Sequence, residues 1–169
     1  MADVLTPEQR QLNMSRIQGK NTKPEMLIRR GLHARGLRYR LHDRSLPGRP
    51  DLVFKKYYTA VFIHGCFWHA HGCAMSKIPA TRQDFWEAKL AANAARDRKA
   101  IDTLQSKGWR VLIIWECALR GPQRWTEEAL LDLAVNFIHS PGLPFLDIAA
   151  RATSSSIEQR PGSDKTTAS

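Results

Sequence analysis

"WRVLIIW", residues 109–115, decides the fold: seven residues, apolar apart from Arg110. A short apolar run without alternation is expected of a strand covered on both faces, as strands of parallel sheets are. Upstream, residues 82–107 read as one long helix closed by Gly108. Before that helix, "DLVF" (51–54) and "AVFI" (60–63) read as two strands around a polar turn at residues 55–59. Strand, long helix and buried strand make a βαβ unit, whose crossover is expected to be right-handed. The fold class is therefore α/β: a mixed sheet in which an antiparallel hairpin leads into a parallel crossover, flanked by helices.

Working outward, "LRYRLH" (37–42) alternates strictly. Leu37, Tyr39 and Leu41 share one face, as in a half-buried strand. "TPEQRQLNMSRI" opens with Thr6 as N-cap, Pro7 at the first helical position and Gln9 at the capping-box position, predicting a helix to about Ile17. A second helix is predicted from Lys23 to Arg35, stopped by Gly36, and a last amphipathic one over residues 125–138. From Ser140 the composition turns to Pro, Gly, Ser and Thr, and disorder is expected after Ala152. This divides the chain into an N-terminal arm (1–20), a main domain (21–139) and a C-terminal tail (140–169).

The 169 residues are 43% hydrophobic, enough for a buried core. Lys and Arg outnumber Asp and Glu by 26 to 16, a net charge of +10, which points to a polyanion as partner, nucleic acid first. The N-terminus lacks the apolar stretch of a secretory signal, and no segment reaches the length of a membrane span. The expected compartment is reducing, with thiols free for metal.

"HGCFWHAHGC", residues 64–73, holds two of the three cysteines and three of the six histidines. Cys66 and Cys73 are seven apart, and Cys117 lies just past the buried strand. Loops after the two strands of a βαβ unit leave the same sheet edge, so the three thiols can meet. Three thiolates and one imidazole make a closed tetrahedral Zn²⁺ site, structural because no position is left for water. Spacing alone does not choose between His69 and His71 as the fourth ligand.

Pairing the hairpin symmetrically places Phe54 opposite Val61 and Asp51 opposite His64. Asp51 then offers a hard oxygen of the kind Mg²⁺ takes, although an Asp after a Pro-Gly turn also serves as a cap. Asp97 falls in the apolar stripe Leu90, Ala94, Ile101, Leu104 and so needs a partner. That partner is either an arginine or one of the clustered histidines. Glu25, three residues after Thr22, is fully explained as a capping-box glutamate reaching the Thr22 N–H.

"NMSRIQGKNTKPE", "SLPGRPDLVF", "VFIHGCFWHAHGC", "IPATRQDFW" and "RDRKAIDTLQSKGWRVLIIWECALRG" together resemble the Vsr family of bacterial very-short-patch mismatch-repair endonucleases, from about Asn13 to Gly121. The resemblance implies a restriction-endonuclease-like fold and nicking of DNA 5′ to the thymine of a T:G mismatch. Such mismatches arise by deamination of 5-methylcytosine at the sites of a cytosine-5 DNA methyltransferase. It implies Mg²⁺ held by Asp51 and the Ile63 carbonyl, His69 acting on the attacking water, and His64, Glu25 and Asp97 completing the catalytic site. It implies Zn²⁺ on Cys66, His71, Cys73 and Cys117. DNA contacts are expected from a wedge of Phe67, Trp68 and Trp86, with Met14 and Ile17 from the other groove, while Phe85 is expected in the core. The acid-x-Lys triplet of restriction enzymes is absent; the strand reads Phe62-Ile63-His64, with Ile63 where some members have a polar residue. A monomer in the bacterial cytoplasm, bound to DNA and to no membrane, with MutL/MutS-type repair proteins as further partners, completes the expectation. The competing reading is a zinc-stabilised mismatch-binding module that cuts nothing.

Overall fold

The computed structural model describes residues 5–17 and 19–152. Five strands form one mixed sheet in the order β1 (Arg40–Leu41), β2 (Leu52–Phe54), β3 (Thr59–His64), β4 (Arg110–Trp115), β5 (Phe145–Ile148). The first two pairings are antiparallel and the last two parallel. Helices α2 (Lys23–Ala34) and α5 (Glu127–His139) cover one face, and α3 (Gln83–Ser106) the other. The run 109–115 is indeed the central strand: Val111, Leu112 and Ile114 are fully buried, with alternate residues entering opposite core layers. No helix among the described residues is long and apolar enough to cross a membrane.

Both core layers are tight. Ile28 and Leu32 of α2 meet Leu130, Leu131 and Phe137 of α5 over Leu52, Val61, Leu112 and Ile114. A Cβ on Gly31 would lie 2.3 Å from Leu131 Cδ1, so glycine lets α2 and α5 touch there. On the other face Leu104 of α3 packs with Ala60, Phe62, Val111 and Ile113. Truncating a side chain buried like Leu104 costs roughly 2–5 kcal/mol.

Three details depart from the sequence reading. The strand expected over 37–42 is only Arg40–Leu41: Leu37 is buried, but Leu41 is exposed and the backbone turns at His42 (φ 46°). The hairpin register pairs Leu52 with Val61 and Phe54 with Thr59, two residues tighter than expected. A 3-10 turn, Lys55–Tyr57, followed by left-handed Tyr58 closes the loop sooner than a symmetric turn would. A slip of two keeps every side chain on its face, but it takes Asp51 away from His64. The segment from Ser140 does not leave the fold, because "FLDI" adds β5 beside β4 as a second parallel crossover. The Pro-Gly loop before it and an Asp within it hid a strand of four residues. The disorder expected after Ala152 falls outside the described residues.

Helix α1 (Pro7–Ser15) has its full capping box, with Thr6 and Gln9 exchanging both hydrogen bonds, yet buries no residue.

Candidate active site and metal centre

The C-terminal ends of β3 and β4 lie side by side, with His64 paired to Trp115. The chemistry-bearing residues gather at this edge in three groups of candidate ligands: Cys66, His71, Cys73 and Cys117; His64, His69 and Asp97; Glu25, His42 and Asp51.

The cysteines and His71 have their ligand atoms within 4.8 Å of one another. Sulfurs bound at about 2.3 Å in a tetrahedron lie about 3.8 Å apart, so the group fits a soft divalent ion. Cys66 and Cys117 are buried. Cys117 sits in α4 (Glu116–Leu119), a single turn absent from the sequence reading. Its N–H donates to Cys66 Sγ at 3.3 Å, and the Ala150 N–H donates to Cys117 Sγ at 3.3 Å. Burial pushes the Cys66 and Cys117 thiols up. Cys73 is also pushed up by burial, but hydrogen bonds from His71 and Ser76 outweigh this and bring it to about 6. A bound metal ion would resolve that conflict by holding all three as thiolates. The His71 ring is stacked on Trp115, centroids 4.1 Å apart.

The second group is an acid–base pair. Asp97 contacts His69 through Oδ2 and Nδ1 at 2.6 Å, so the aspartate in the α3 stripe is partnered by a clustered histidine. An Nδ1–H held by a carboxylate leaves the Nε2 lone pair free to accept a proton. His64 lies parallel to His69 with centroids 3.7 Å apart. Burial, then the neighbouring His69, holds the His64 imidazole down to about 3, so it is neutral at working pH. Both histidines line a cavity of about 430 Å³, with Ile17, Pro24, Ile63 and Trp68 among the other walls.

In the third group, Asp51 Oδ2 accepts the Ile63 N–H at 2.7 Å, the contact that the tighter register creates in place of His64. Burial, opposed by that hydrogen bond and reinforced by Glu25, raises the Asp51 carboxyl to about 6. Glu25 is almost wholly buried. Its Oε2 accepts the N–H of Asn21 rather than of Thr22, and its Oε1 lies 3.0 Å from His42 Nε2. Two carboxylates and an imidazole this close fit a divalent cation that would offset their repulsion. His42 was passed over in the sequence because it follows an alternating run and reads as a strand residue. Only its left-handed backbone brings it here.

Phe67, Trp68 and Trp86 form a three-ring cluster with centroids 5.0–6.2 Å apart, all partly exposed. Lys89 Nζ lies over Trp68 and Trp86 at 5.7 and 5.5 Å. Phe85 is not core: it is 43% exposed and lies under Arg82, in a first turn of α3 that is mostly exposed. Met14 and Ile17 are exposed; Met14 shares a cavity with Trp86, and Ile17 shares another with Trp68.

Comparison with known proteins decides what this edge belongs to. The family model described as DNA mismatch endonuclease Vsr matches residues 2–75. The DNA mismatch endonuclease Vsr of Escherichia coli (strain K12) is 47% identical over 142 residues, 84% of this chain and 91% of the relative.

The chain belongs to the DNA mismatch endonuclease Vsr family.

Two type II nicking enzymes are similar over most of their lengths. V.XorIIP of Xanthomonas oryzae pv. oryzae is 46% identical over 70% of this chain and 88% of its own. V.HpaIIP of Haemophilus parainfluenzae is 43% identical over 75% and 92%. As a Vsr-family member the chain is a DNA-nicking endonuclease of mismatch repair.

Proposed function

We propose that this chain nicks duplex DNA 5′ to the thymine of a T:G mismatch, using Asp51, Glu25, His64, His69 and Asp97 at the β3–β4 edge. The observation that carries this is the 2.6 Å contact between His69 and Asp97 beside the Asp51 carboxylate. Asp51 Oδ1 and the Ile63 carbonyl would hold Mg²⁺, with Glu25 beside them. Mg²⁺ supplies charge stabilisation at the scissile phosphate and the leaving oxygen when bound. Asp97 fixes the His69 tautomer, and His69 Nε2 takes the proton of the attacking water. His64, neutral and stacked on His69, fills the space behind the base.

The cysteine group with His71 is proposed to hold a structural Zn²⁺. His69 lies in sequence between two of those ligands, Cys66 and His71, so ordering them also orders the base. Phe67, Trp68 and Trp86 enter the base stack at the mismatch, where unstacking costs least. Met14 and Ile17 grip from the opposite groove. The fold is read as restriction-endonuclease-like, with Ile63 and His64 in place of the acid-x-Lys triplet. The proposed setting is the bacterial cytoplasm, at sites of a cytosine-5 DNA methyltransferase, the enzyme acting as a monomer alongside MutL/MutS-type repair proteins.

The test is a duplex with one T:G pair, each strand labelled in turn, incubated with Mg²⁺ and then with EDTA. A single nick 5′ to the T, absent from the T:A duplex and abolished by EDTA, is expected. Mismatch-selective binding with neither strand cut would instead identify a binding module.

A further inference from the structure

We propose that His42 is a third protein ligand at the Asp51 cation site, and that it makes the site prefer a first-row transition ion such as Mn²⁺ over Mg²⁺. This rests on the reading of Asp51 as a cation ligand and deepens it.

Three features place the imidazole in this role. The first is distance: His42 Nε2 and Glu25 Oε1 are 3.0 Å apart. Adjacent ligands of an octahedral ion bound at about 2.1 Å are about 3.0 Å apart. One ligand atom from each of Glu25, His42 and Asp51 lies within 4.8 Å of the others. Asp51 spends Oδ2 on the Ile63 N–H, and Oδ1 is the oxygen that faces the His42 ring, 3.8 Å from Nδ1.

The second is unsatisfied polarity. Glu25 Oε1 and His42 Nε2 are both buried, and neither makes a hydrogen bond of acceptable geometry despite their proximity. Buried polar atoms seldom stay so without a partner. Arg29 Nη1 lies 3.5 Å from the same Glu25 oxygen, but Asn21 Oδ1 holds that guanidinium at 2.6 Å.

The third is backbone. His42 has φ 46°, and its N–H donates to the Asp51 carbonyl at 3.1 Å. A non-glycine residue held in this sparsely populated region marks a position where side-chain direction matters.

The ligand set then fixes the preference. Mg²⁺ favours carboxylate and water and sheds its waters reluctantly, whereas imidazole nitrogen adds affinity for transition ions.

The experiment uses the full chain with its zinc content verified. Binding of Mn²⁺ and of Mg²⁺ is measured by calorimetry for wild type, His42→Gln, His42→Ala and Asp51→Ala. Both His42 variants are expected to weaken Mn²⁺ by about tenfold or more while changing Mg²⁺ several times less. Electron spin echo of the wild-type Mn²⁺ complex is expected to show a directly bound ¹⁴N that His42→Gln removes. Equal weakening of the two ions, no weakening, or a wild-type spectrum without bound nitrogen overturns the proposal. Asp51→Ala is a separate arm: if it leaves Mn²⁺ binding intact, the cation reading of Asp51 itself fails, whatever His42 does.

Discussion

Two ligand clusters share one sheet edge and differ in almost everything else. The cysteine–histidine cluster spans residues 66–117, has two buried sulfurs, and takes backbone N–H groups onto sulfur. The carboxylate–imidazole groups are drawn from α2, the end of β1, the start of β2, the end of β3, the loop after it and α3, and His64 and His69 line a cavity. The first set is soft and closed, suited to holding chain together. The second is hard and, at three ligands a group, would leave a cation positions open for further oxygen ligands. Ligand type and number, and not burial, therefore separate the two sets.

The largest effect should come from breaking the closed cluster. Cys117→Ser removes the ligand farthest in sequence from the others, and structural zinc contributes folding free energy on the order of several kcal/mol or more. Zinc loss and a partly unfolded product are expected. A purified variant with one zinc per chain and an unchanged melting curve would show that Cys117 is no ligand.

Breaking the open cluster should leave the fold intact. Asp51→Ala and His69→Ala are expected to fold, keep zinc and bind T:G duplex, yet lose nicking by several orders of magnitude. His71→Ala should lose zinc instead. Zinc lost from His69→Ala and kept in His71→Ala would exchange the roles of the two histidines.

The contrast was only partly legible in the sequence. The apolar run 109–115 and the Gly-terminated helices announced the α/β core, because burial and helix ends write themselves into residue type and spacing. The three cysteines likewise announced one site, since chain topology brings their loops to one edge. Register was not legible: it depends on a 3-10 turn and a left-handed Tyr58 that composition does not encode. For that reason Asp51 was placed against His64 and not the Ile63 N–H. His42 and Phe85 were misplaced for a related reason, a left-handed backbone in one case and an exposed helix end in the other. Strand β5 was lost because four residues after a Pro-Gly loop carry too little pattern.

A smaller effect sharpens the comparison through stability. The Asp51 carboxyl is raised from its ordinary 3.8 to about 6. The folded chain therefore holds more protons than the unfolded one between those values. In cation-free protein, stability should be highest below about pH 4 with respect to this group, and should fall as pH rises through 6. A shift of this size corresponds to about 3 kcal/mol at full effect. Asp51→Asn should thus raise the melting temperature of cation-free protein at pH 8, and Mg²⁺ should stabilise wild type but not the variant. An Asn variant no more stable than wild type at pH 8 would mean that the carboxylate is already compensated within the fold.

The smallest expected effect lies on the exposed rings between the clusters. Trp68→Ala should weaken binding by roughly 1–3 kcal/mol, more for T:G than for matched duplex, because non-specific affinity rests on phosphate. Equal weakening of both would place Trp68 outside mismatch recognition.

Helix α1 carries a full capping box and buries nothing. Substitutions at exposed positions outside a core change global stability little. The exposed Leu12, Met14 and Ile17 can therefore change at little cost in folding, whereas Phe67 and Trp68 sit between the candidate ligands Cys66 and His71. If the arm grips DNA as proposed, its contacts can be altered one residue at a time while the sheet edge stays fixed.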